Sequence, residues 1–341
     1  MRSYPAGGHR GPDLRAVAGS ASTIGAHVQR EALVILESTT YPGTTEEVFA
    51  PLVLGDKFTV NDVMIAFSPE RIDPGNPTYG VQNTPKVVGG LTPAATSAAT
   101  AVYSCFIDTV VEAKGAKEAE MAKPLENTFR HVNIALVNEM LRFSEDLGID
   151  LWDAIDCAET KPFGFMAFRP GPGVGGHCIP VDPAYLSHRV RAQLGYSFRM
   201  VELAEEIDTA APLYVANRLW KALSQRKIAI NGARVLVGVT YKPNISDQRE
   251  SPARPLATRL AELGAVLSYH DLYVPSWSVA TAHGRIDLDS ASDVYTAASE
   301  VHAVMLLQPH ANYNLKRLSA ASKLLLDTRG AIPRSAAVQR L

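Results

Sequence analysis

The 341-residue sequence lacks most marks of secreted, membrane and metal-binding proteins. It has only three cysteines, Cys105, Cys157 and Cys178, and no C-x-x-C pair, so neither a disulfide framework nor a zinc site is indicated. We therefore expect no metal ion and a reducing compartment. No apolar run approaches the ~18 residues of a membrane span, and residues 1–15 lack the apolar segment of a signal peptide. These absences predict a cytoplasmic protein that makes no membrane contact.

The sequence also lacks any block of lysine or arginine. Its 33 basic and 35 acidic residues give a net charge of -2, which argues against a nucleic-acid partner. We expect instead a small anionic ligand held by a few basic residues. The chain is 46% hydrophobic, which is enough for a large core, and its length favours two or three domains.

A glycine-rich run from Arg169 to Asp182 contains the cysteine of greatest interest, Cys178. The run lacks the G-x-G-x-x-G spacing of a dinucleotide loop. Pro180 suits the first position of a helix, which would put Cys178 beside a helix N-terminus that stabilises a thiolate. Asp182 would lie one helical turn later, over the sulfur. The pattern predicts a nucleophile, and the alternative is a buried, inert thiol.

Polar loops follow two predicted strands. Residues 32–36 are typical of a buried parallel strand and lead into a hydroxyl-rich loop containing Ser38, Thr39 and Thr40. A strand, a loop and a helix in that order place the loop at the carboxyl edge of a sheet, where α/β proteins bind ligands. The alternative is a loop that only caps a helix. Glu70 follows a second strand and would face the same crevice, unless it is only a solvated loop acid.

Residues 117–147 have the apolar spacing of one long helix, which ends at Gly148. Lys123 and Asn127 are four residues apart and therefore share a face. The alternative is that both simply face solvent. Because proline is tolerated only in the first turn, Pro124 predicts that the helix begins close to Lys123.

The second half of the chain returns to α/β alternation. Residues 185–225 are predicted as one long helical region that joins two domains, and strands are predicted at 234–239, 266–269, 303–307 and 324–326. The loop after the first of these strands contains Tyr241, Lys242 and Arg249 and precedes a helix. Basic side chains at a helix N-terminus favour an anion site. The alternative is a surface loop with scattered charges.

Seven segments between Pro12 and about Gly330 together resemble the UDP-glucose/GDP-mannose dehydrogenase family, most of all its branch that oxidises C6 of UDP-N-acetylhexosamines. The segments are ESTTYPGTT, FSPERIDPGN, PKVVGG, EMAKPLENTFRHVNIALVNEM, TKPFGFMAFRPGPGVGGHCIPVDP, VGVTYKPNISDQRESPA and DTRGAI. The resemblance implies an α/β fold with two Rossmann-like parallel-sheet domains joined by a central helical region that forms a homodimer. We place the domains at residues 1–115, 116–225 and 226–341.

The resemblance also implies two successive hydride transfers to NAD, which convert the C6 alcohol of a UDP-sugar to a carboxylate. In the first step Lys123, Asn127 and a water held by Asp182 would accept the proton or stabilise the alkoxide. Cys178 would then add to the aldehyde, and oxidation of the thiohemiacetal would give a thioester. Glu70 would activate the water that releases the acid.

Binding roles follow from the same resemblance. Ser38, Thr39, Thr40 and Arg249 are carried over as contacts to the cofactor. Tyr241 and Lys242 would hold the UDP part. The remaining substrate contacts come from the glycine-rich loop and are Phe168, Arg169, Gly173, Gly175 and Gly176.

The sequence departs from the family at its start. Family members begin with a strand and a G-x-G-x-x-G turn, and nothing of that kind precedes Glu37. We therefore expect a truncated first domain with half a dinucleotide site. This keeps a second hypothesis open, a catalytically inactive remnant that binds UDP-sugar or only dimerises. A thiol enzyme of the aldehyde dehydrogenase type is a third, and it would leave the matching loops unexplained.

Overall fold

A computed structural model of the chain describes residues 13–73, 76–176, 178–282 and 284–341, with the backbone alone at Cys178. The predicted irregular segment at residues 1–12 lies outside these ranges. Contacts divide the chain into two compact units. The first runs to Phe129 and includes Val181–Val201, and the second comprises Arg130–Pro180 and Glu202–Leu341. The three predicted domain boundaries stay a prediction.

The first unit contains a four-stranded sheet of order β1-β2-β3-β4. Its elements are α1 (Arg15–His27), β1 (Leu33–Leu36), a π-helical turn (Thr45–Phe49), α2 (Ala50–Leu54), β2 (Met64–Phe67), β3 (Lys86–Gly90), α3 (Pro93–Tyr103) and β4 (Val110–Glu112). β1 and β2 are parallel, as are β3 and β4, but β3 runs antiparallel to β2. A parallel return needs a crossover helix, and the described residues between β2 and β3 form none.

The second strand of the first sheet, β2, is buried on both faces. Ile65 and Phe67 of β2 pack in one apolar cluster with Phe49 and Val53, while Ala66 packs in another on the opposite face. A near-continuous apolar run is the pattern expected of a strand covered on both sides. The burial predicted for residues 32–36 is only partly correct, because Leu36 is buried while residues 32–35 are half-buried.

Four helices follow: α4 (Ala116–Asp146), α5 (Leu151–Glu159), α6 (Cys178–Leu194) and α7 (Arg199–Gln225). The predicted start of α4 near Lys123 is wrong, because the helix begins at Ala116 and Pro124 lies inside it. Ala119 and Glu120 are fully buried, and the packing of this first part offsets the backbone hydrogen bond that proline removes. The single helical region predicted at 185–225 is two helices, since Gly195 has a positive φ of 74° where α6 has ended.

The second unit contains a parallel sheet of order β11-β10-β9-β5-β6. Its elements are β5 (Arg234–Val237), α8 (Ala253–Glu262), β6 (Val266–Tyr269), the hairpin β7 (Ser276–Thr281) and β8 (Gly284–Asp289), α9 (Val294–Glu300), β9 (Ala303–Leu306), α10 (Leu315–Ala321), β10 (Leu325–Asp327) and β11 (Val338–Arg340). In this sheet β6 pairs with one side of β5, and β9, which comes later in the chain, pairs with its other side. The loops after β5 and β9 therefore meet at a topological switch point, where α/β sheets bind ligands. The predicted α/β fold class is confirmed.

The helices of the described ranges do not meet the requirements of a membrane span. None is both long and apolar enough to cross a bilayer.

Candidate functional site

The hydroxyl-rich loop begins where β1 ends, at the carboxyl edge of the first sheet, as predicted. Ser38 is exposed, Thr39 is half-buried and Thr40 is 1% exposed. Within the described part of the chain, Thr40 Oγ1 is buried without a hydrogen-bond partner. A buried hydroxyl of this kind calls for a ligand or water. Thr40 therefore makes this loop a candidate ligand-binding segment.

The helix after this loop is capped by a carboxylate that the sequence analysis did not identify. Glu120 of α4 is fully buried and accepts hydrogen bonds from the backbone N–H groups of Gly43 and Thr45, at 2.5 and 2.7 Å, and from Thr45 Oγ1 at 2.7 Å. Burial raises the Glu120 pKa, although these hydrogen bonds oppose the shift. Because Glu120 satisfies the helix N-terminus, the hydroxyls of residues 38–40 are not needed as caps.

Glu70 lies at the same edge in a cluster of charged side chains. Lys86 Nζ is 2.8 Å from Glu37 Oε1 and 3.6 Å from Glu70 Oε2, and the Tyr103 hydroxyl donates to Glu37 Oε1 at 2.7 Å. Burial favours a higher Glu37 pKa, but the hydrogen bonds from Lys86 and Tyr103 outweigh it and lower the pKa. These side chains and Phe106 line a pocket of about 320 Å³. Glu70 is thus half-exposed and ion-paired rather than freely solvated.

Lys123, Asn127 and Asp182 come together in the first unit. The Asn127 amide donates to Asp182 Oδ2 at 2.7 Å, and both residues are buried, so the solvent-facing alternative is wrong for Asn127. Burial raises the Asp182 pKa to about 6, although the Lys123 charge and the Asn127 hydrogen bond act to lower it. A carboxyl group that titrates near neutral pH suits a general base.

Cys178 is the first residue of α6, and Asp182 follows within its second turn. The helix thus begins two residues before Pro180, which stands third rather than first, so Cys178 opens the helix instead of preceding it. The side chain of Cys178 lies outside the described residues. Its predicted position below the Asp182 carboxylate therefore stays a prediction.

The glycines before Cys178 pack closely against the loop that follows β5. A Cβ on Gly175 would lie 2.4 Å from Tyr241 Cβ, and a Cβ on Gly176 would lie 2.8 Å from the Tyr241 ring. Gly176 N–H also donates to the Arg249 carbonyl at 2.9 Å. Gly173 has a φ of 125° and lies beside the Asp208 carbonyl. The glycines therefore join the two predicted substrate-binding segments to each other.

The basic side chains of these segments have acidic partners. Arg169 Nη2 lies 2.8 Å from both Asp156 and Glu159 of α5, and the Arg249 guanidinium pairs with Asp247 at 2.7 Å. Phe168 is half-buried and packs against the core of the second unit. A ligand phosphate would have to compete with these carboxylates for Arg169 and Arg249.

Lys242 lies in the loop at the switch point between β5 and β9. The loop is held from below by the β9 loop, because Asn244 N–H donates to His310 Nδ1 at 3.0 Å and Gln308 donates to the Tyr241 carbonyl at 2.5 Å. Lys242 and Tyr241 are half-buried. The loop therefore has the fixed backbone that a ligand site needs.

A buried polar chain supports the glycine-rich loop. His131 Nε2 is 3.4 Å from Asp208 Oδ2, Asn138 donates to Asp208 Oδ1 at 2.8 Å, and Gly171 N–H donates to Asn138 Oδ1 at 2.9 Å. Burial raises the Asp208 pKa to about 7 and lowers the His131 pKa to about 4. Between these two pKa values the pair therefore binds one proton, which sits on Asp208.

Sequence profiles of one family match three successive parts of the chain: its NAD binding domain at residues 3–107, its central domain at 117–210 and its UDP binding domain at 235–334. A UDP-N-acetyl-D-glucosamine 6-dehydrogenase from Pseudomonas aeruginosa is 33% identical over 331 residues, which cover 94% of this chain and 76% of that protein. The chain belongs to the UDP-glucose/GDP-mannose dehydrogenase family. It is an NAD-dependent oxidoreductase.

Two further relatives agree with this membership. A UDP-N-acetyl-D-mannosamine dehydrogenase from Methanocaldococcus jannaschii is 30% identical over 337 residues, covering 96% of this chain and 73% of the relative. The solved structure of UDP-D-ManNAc dehydrogenase from Pyrococcus horikoshii superposes with a TM-score of 0.82 at 27% identity. It covers 96% of this chain and 77% of that one. The family resemblance read from the sequence is therefore confirmed.

The residues at the edge of the first sheet fit the polar groups of NAD. The hydroxyls of residues 38–40 lie at the carboxyl end of a parallel strand, and the buried Thr40 hydroxyl has no partner among the described residues. In the same described ranges, no three His, Cys, Asp or Glu side chains converge to hold a metal ion.

Four residues of the first unit's site were not predicted from the sequence: Glu37, Lys86, Tyr103 and Glu120. Their contacts join residues 49 to 77 positions apart, so no local spacing signals them.

Proposed function

We propose that this chain is a UDP-N-acetylhexosamine 6-dehydrogenase that oxidises the C6 alcohol of its substrate to a carboxylate in two steps. The observation that carries the proposal is the buried Asp182, whose carboxyl group titrates near pH 6 beside Asn127 and Lys123 on a helix that begins with Cys178. The named substrates of the relatives, UDP-N-acetylglucosamine and UDP-N-acetylmannosamine, support the sugar class.

In the first oxidation the alcohol loses a proton while its hydride leaves. Asp182 is suited to hold the water that takes this proton, because its raised pKa makes it a better base than an ordinary aspartate. Lys123 supplies positive charge next to Asp182 and would stabilise the developing alkoxide. Asn127 fixes the orientation of the carboxylate. NAD, when bound, accepts the hydride of each oxidation.

In the second oxidation Cys178 would act as the nucleophile. Its place at the N-terminus of α6 favours the thiolate, which adds to the aldehyde carbon to give a thiohemiacetal. Loss of a second hydride leaves a thioester on Cys178. Glu70 would remove a proton from the water that hydrolyses it, and the half-exposed carboxylate is open to such a water.

Substrate and cofactor contacts are proposed from the same segments. Ser38, Thr39, Thr40 and Arg249 would contact NAD. The UDP part would lie on Tyr241 and Lys242, which the match to the UDP binding domain supports. The sugar would be enclosed by the loop residues Phe168, Arg169, Gly173, Gly175 and Gly176.

We also propose that the protein is a homodimer formed through its central helices. Helix α4 exposes five large apolar side chains at spacings of four and seven residues: Met121, Leu125, Phe129, Leu136 and Phe143. Such spacing places them on one face, and a contiguous apolar face of this kind marks an interaction surface. A second copy of the chain would cover it. The cytoplasmic location expected from the sequence stays a prediction.

The test is NADH formation at 340 nm with UDP-N-acetylglucosamine, UDP-N-acetylmannosamine and UDP-glucose in turn, using the wild-type chain and Cys178→Ala. We expect turnover with at least one N-acetylhexosamine, faster than with UDP-glucose, and its loss in the variant. The exposed Cys105→Ala serves as the matched control. If all three sugars gave no NADH but still bound, the remnant hypothesis would replace this one.

A further inference from the structure

The side chain of Lys86 is 10% exposed although it carries an ammonium group. Burial of a cation costs free energy unless the charge is compensated, and here two carboxylates share it. Glu37 provides a hydrogen bond at 2.8 Å, and Glu70 lies on the other side at 3.6 Å. A single carboxylate would suffice to pair Lys86. The presence of two indicates that the lysine links Glu37 to Glu70.

The backbone explains how the three residues meet. β3 runs antiparallel to β2, with Phe67 opposite Gly89. Glu70 follows Phe67 by three residues and Lys86 precedes Gly89 by three, so both lie beyond the same end of this pairing. Glu37 comes directly after β1, which pairs with β2 on its other side. The pairing of β1, β2 and β3 therefore brings together the loops that carry Glu37 and Glu70 and the strand that carries Lys86.

Both partners of Lys86 are held in place. Glu37 Oε1 also accepts the Tyr103 hydroxyl at 2.7 Å, and Lys86 Nζ lies 5.0 Å from the centre of the Tyr103 ring. Glu70 Oε1 accepts the backbone N–H of Ile72 at 2.7 Å, which leaves Oε2 turned toward Lys86. The hydrogen bond to Glu37 fixes the Lys86 ammonium group at a place from which it also faces Glu70 Oε2, so Lys86 can orient the Glu70 carboxylate.

We propose that Lys86, held by Glu37 and Tyr103, is a positioning residue for Glu70 in the hydrolysis that releases the acid. In this step a water oxygen bonds to the thioester carbonyl carbon while one water proton passes to Glu70. The C–S bond then breaks, and Cys178 leaves as a thiolate. No oxidant is needed. The inference rests on the proposed function and concerns only its last step.

The test is pre-steady-state NADH formation by Lys86→Met, with NAD and whichever of the three UDP-sugars the wild-type chain oxidises fastest. Both hydride transfers precede hydrolysis, so we expect a burst of about two NADH per Cys178 followed by a steady state slowed about tenfold or more. Intact-mass spectrometry should show the acyl-enzyme. Lys86→Arg keeps the charge and should recover most of the rate. Lys57→Met, at an exposed lysine of the same unit, should match the wild type.

Three outcomes would overturn the inference. The first is a Lys86→Met variant whose steady-state rate equals that of the wild type and that accumulates no acyl-enzyme. The second is a Lys86→Met variant that keeps its fold, as checked by circular dichroism, but shows no burst of NADH. If Lys86→Met does not fold, Tyr103→Phe takes its place and should show an intact burst with a slowed steady-state rate. The third outcome that would overturn the inference is a wild-type steady-state rate in Tyr103→Phe. A wild-type chain that forms no NADH contradicts the proposed function instead, which keeps the two failures distinguishable.

Discussion

Asp182 is a buried aspartate whose pKa suits a base that works near neutral pH, and its surroundings determine that pKa. Burial raises its pKa to about 6, and the hydrogen bond from Asn127 restrains the shift. Below this pKa the carboxyl group is protonated and cannot hold a proton-accepting water. We therefore expect kcat/KM to fall as the pH drops below about 6, since this parameter reports groups of the free enzyme.

Asn127→Ala tests this assignment. Loss of a hydrogen bond worth about 1 kcal/mol should raise the Asp182 pKa by about 0.7 pH unit, and the acid limb of the kcat/KM profile should move up by the same amount. Asn61→Ala, at an exposed asparagine, is the matched control. An acid limb that stays in place in Asn127→Ala would show that Asp182 is not the group that titrates.

His131 and Asp208 form a second buried pair whose titrations oppose each other. In the folded chain the Asp208 pKa is about 7 and the His131 pKa about 4, so one proton sits on Asp208 between these values. In the unfolded chain, with pKa values of about 3.9 and 6.5, the histidine holds one proton over nearly the same range. Because both states bind one proton, the pair should leave stability nearly independent of pH there.

Single variants should expose the two opposing slopes. In His131→Gln the folded state binds more protons than the unfolded state, so the free energy of unfolding should fall as pH rises from 4 to 7. In Asp208→Asn the unfolded state binds more, so stability should fall as pH drops from 6.5 to 4. Each slope should approach about 1.4 kcal/mol per pH unit. Urea unfolding at pH 4.5, 5.5 and 6.5 measures them, and wild-type-like profiles in both variants would contradict the shared proton.

At the scale of elements, the glycine-rich loop and the β5 loop form one packed assembly. The contact depends on the absence of a side chain at Gly175, whose added Cβ would meet Tyr241 Cβ at 2.4 Å. Because both loops are proposed to contact the substrate, their packing would determine whether the UDP-sugar site is preformed.

Gly175→Ala should therefore weaken UDP binding and destabilise the fold by about 1–3 kcal/mol, the usual cost of forcing an atom into a packed region. Calorimetry with UDP and thermal unfolding measure the two effects. Gly19→Ala lies in α1 with no atom near its added Cβ and should be neutral or slightly stabilising. Equal UDP affinities for Gly175→Ala and the wild type would separate the loop packing from binding.

The sequence allowed the α/β class and the positions of short strands to be predicted, because apolar runs such as residues 32–36, which contain β1, have a local signature. It also allowed Asn127 and Asp182 to be selected, which the structure joins by a hydrogen bond. It could not reveal that β3 runs antiparallel to β2, or that Glu120 caps the helical turn at Thr45–Phe49. Both depend on contacts between distant residues, and the latter spans 77 positions. Helix α4 starts earlier than expected because the packing of its first residues outweighs the preference of Pro124.

At the scale of the whole molecule, the exposed apolar face of α4 predicts self-association. Leu125 and Phe143 are 60% and 47% exposed, and both lie on that face. Leu125→Glu combined with Phe143→Glu would bury two carboxylates in a dimer interface, which is costly. We expect a dimeric mass for the wild type and a monomeric mass for the double variant by light scattering. Leu272→Glu, 47% exposed outside this helix, should stay dimeric. A monomeric wild type would contradict the proposed dimer.

The central claim is that one chain carries out both oxidations of the C6 alcohol. The most direct measurement is the number of NADH molecules formed per UDP-sugar when the sugar is limiting, together with identification of the sugar product by mass spectrometry. The account predicts two NADH per sugar and a product that carries a carboxylate at C6. One NADH per sugar with release of an aldehyde, or a C6 carboxylate formed undiminished by Cys178→Ala, would contradict it.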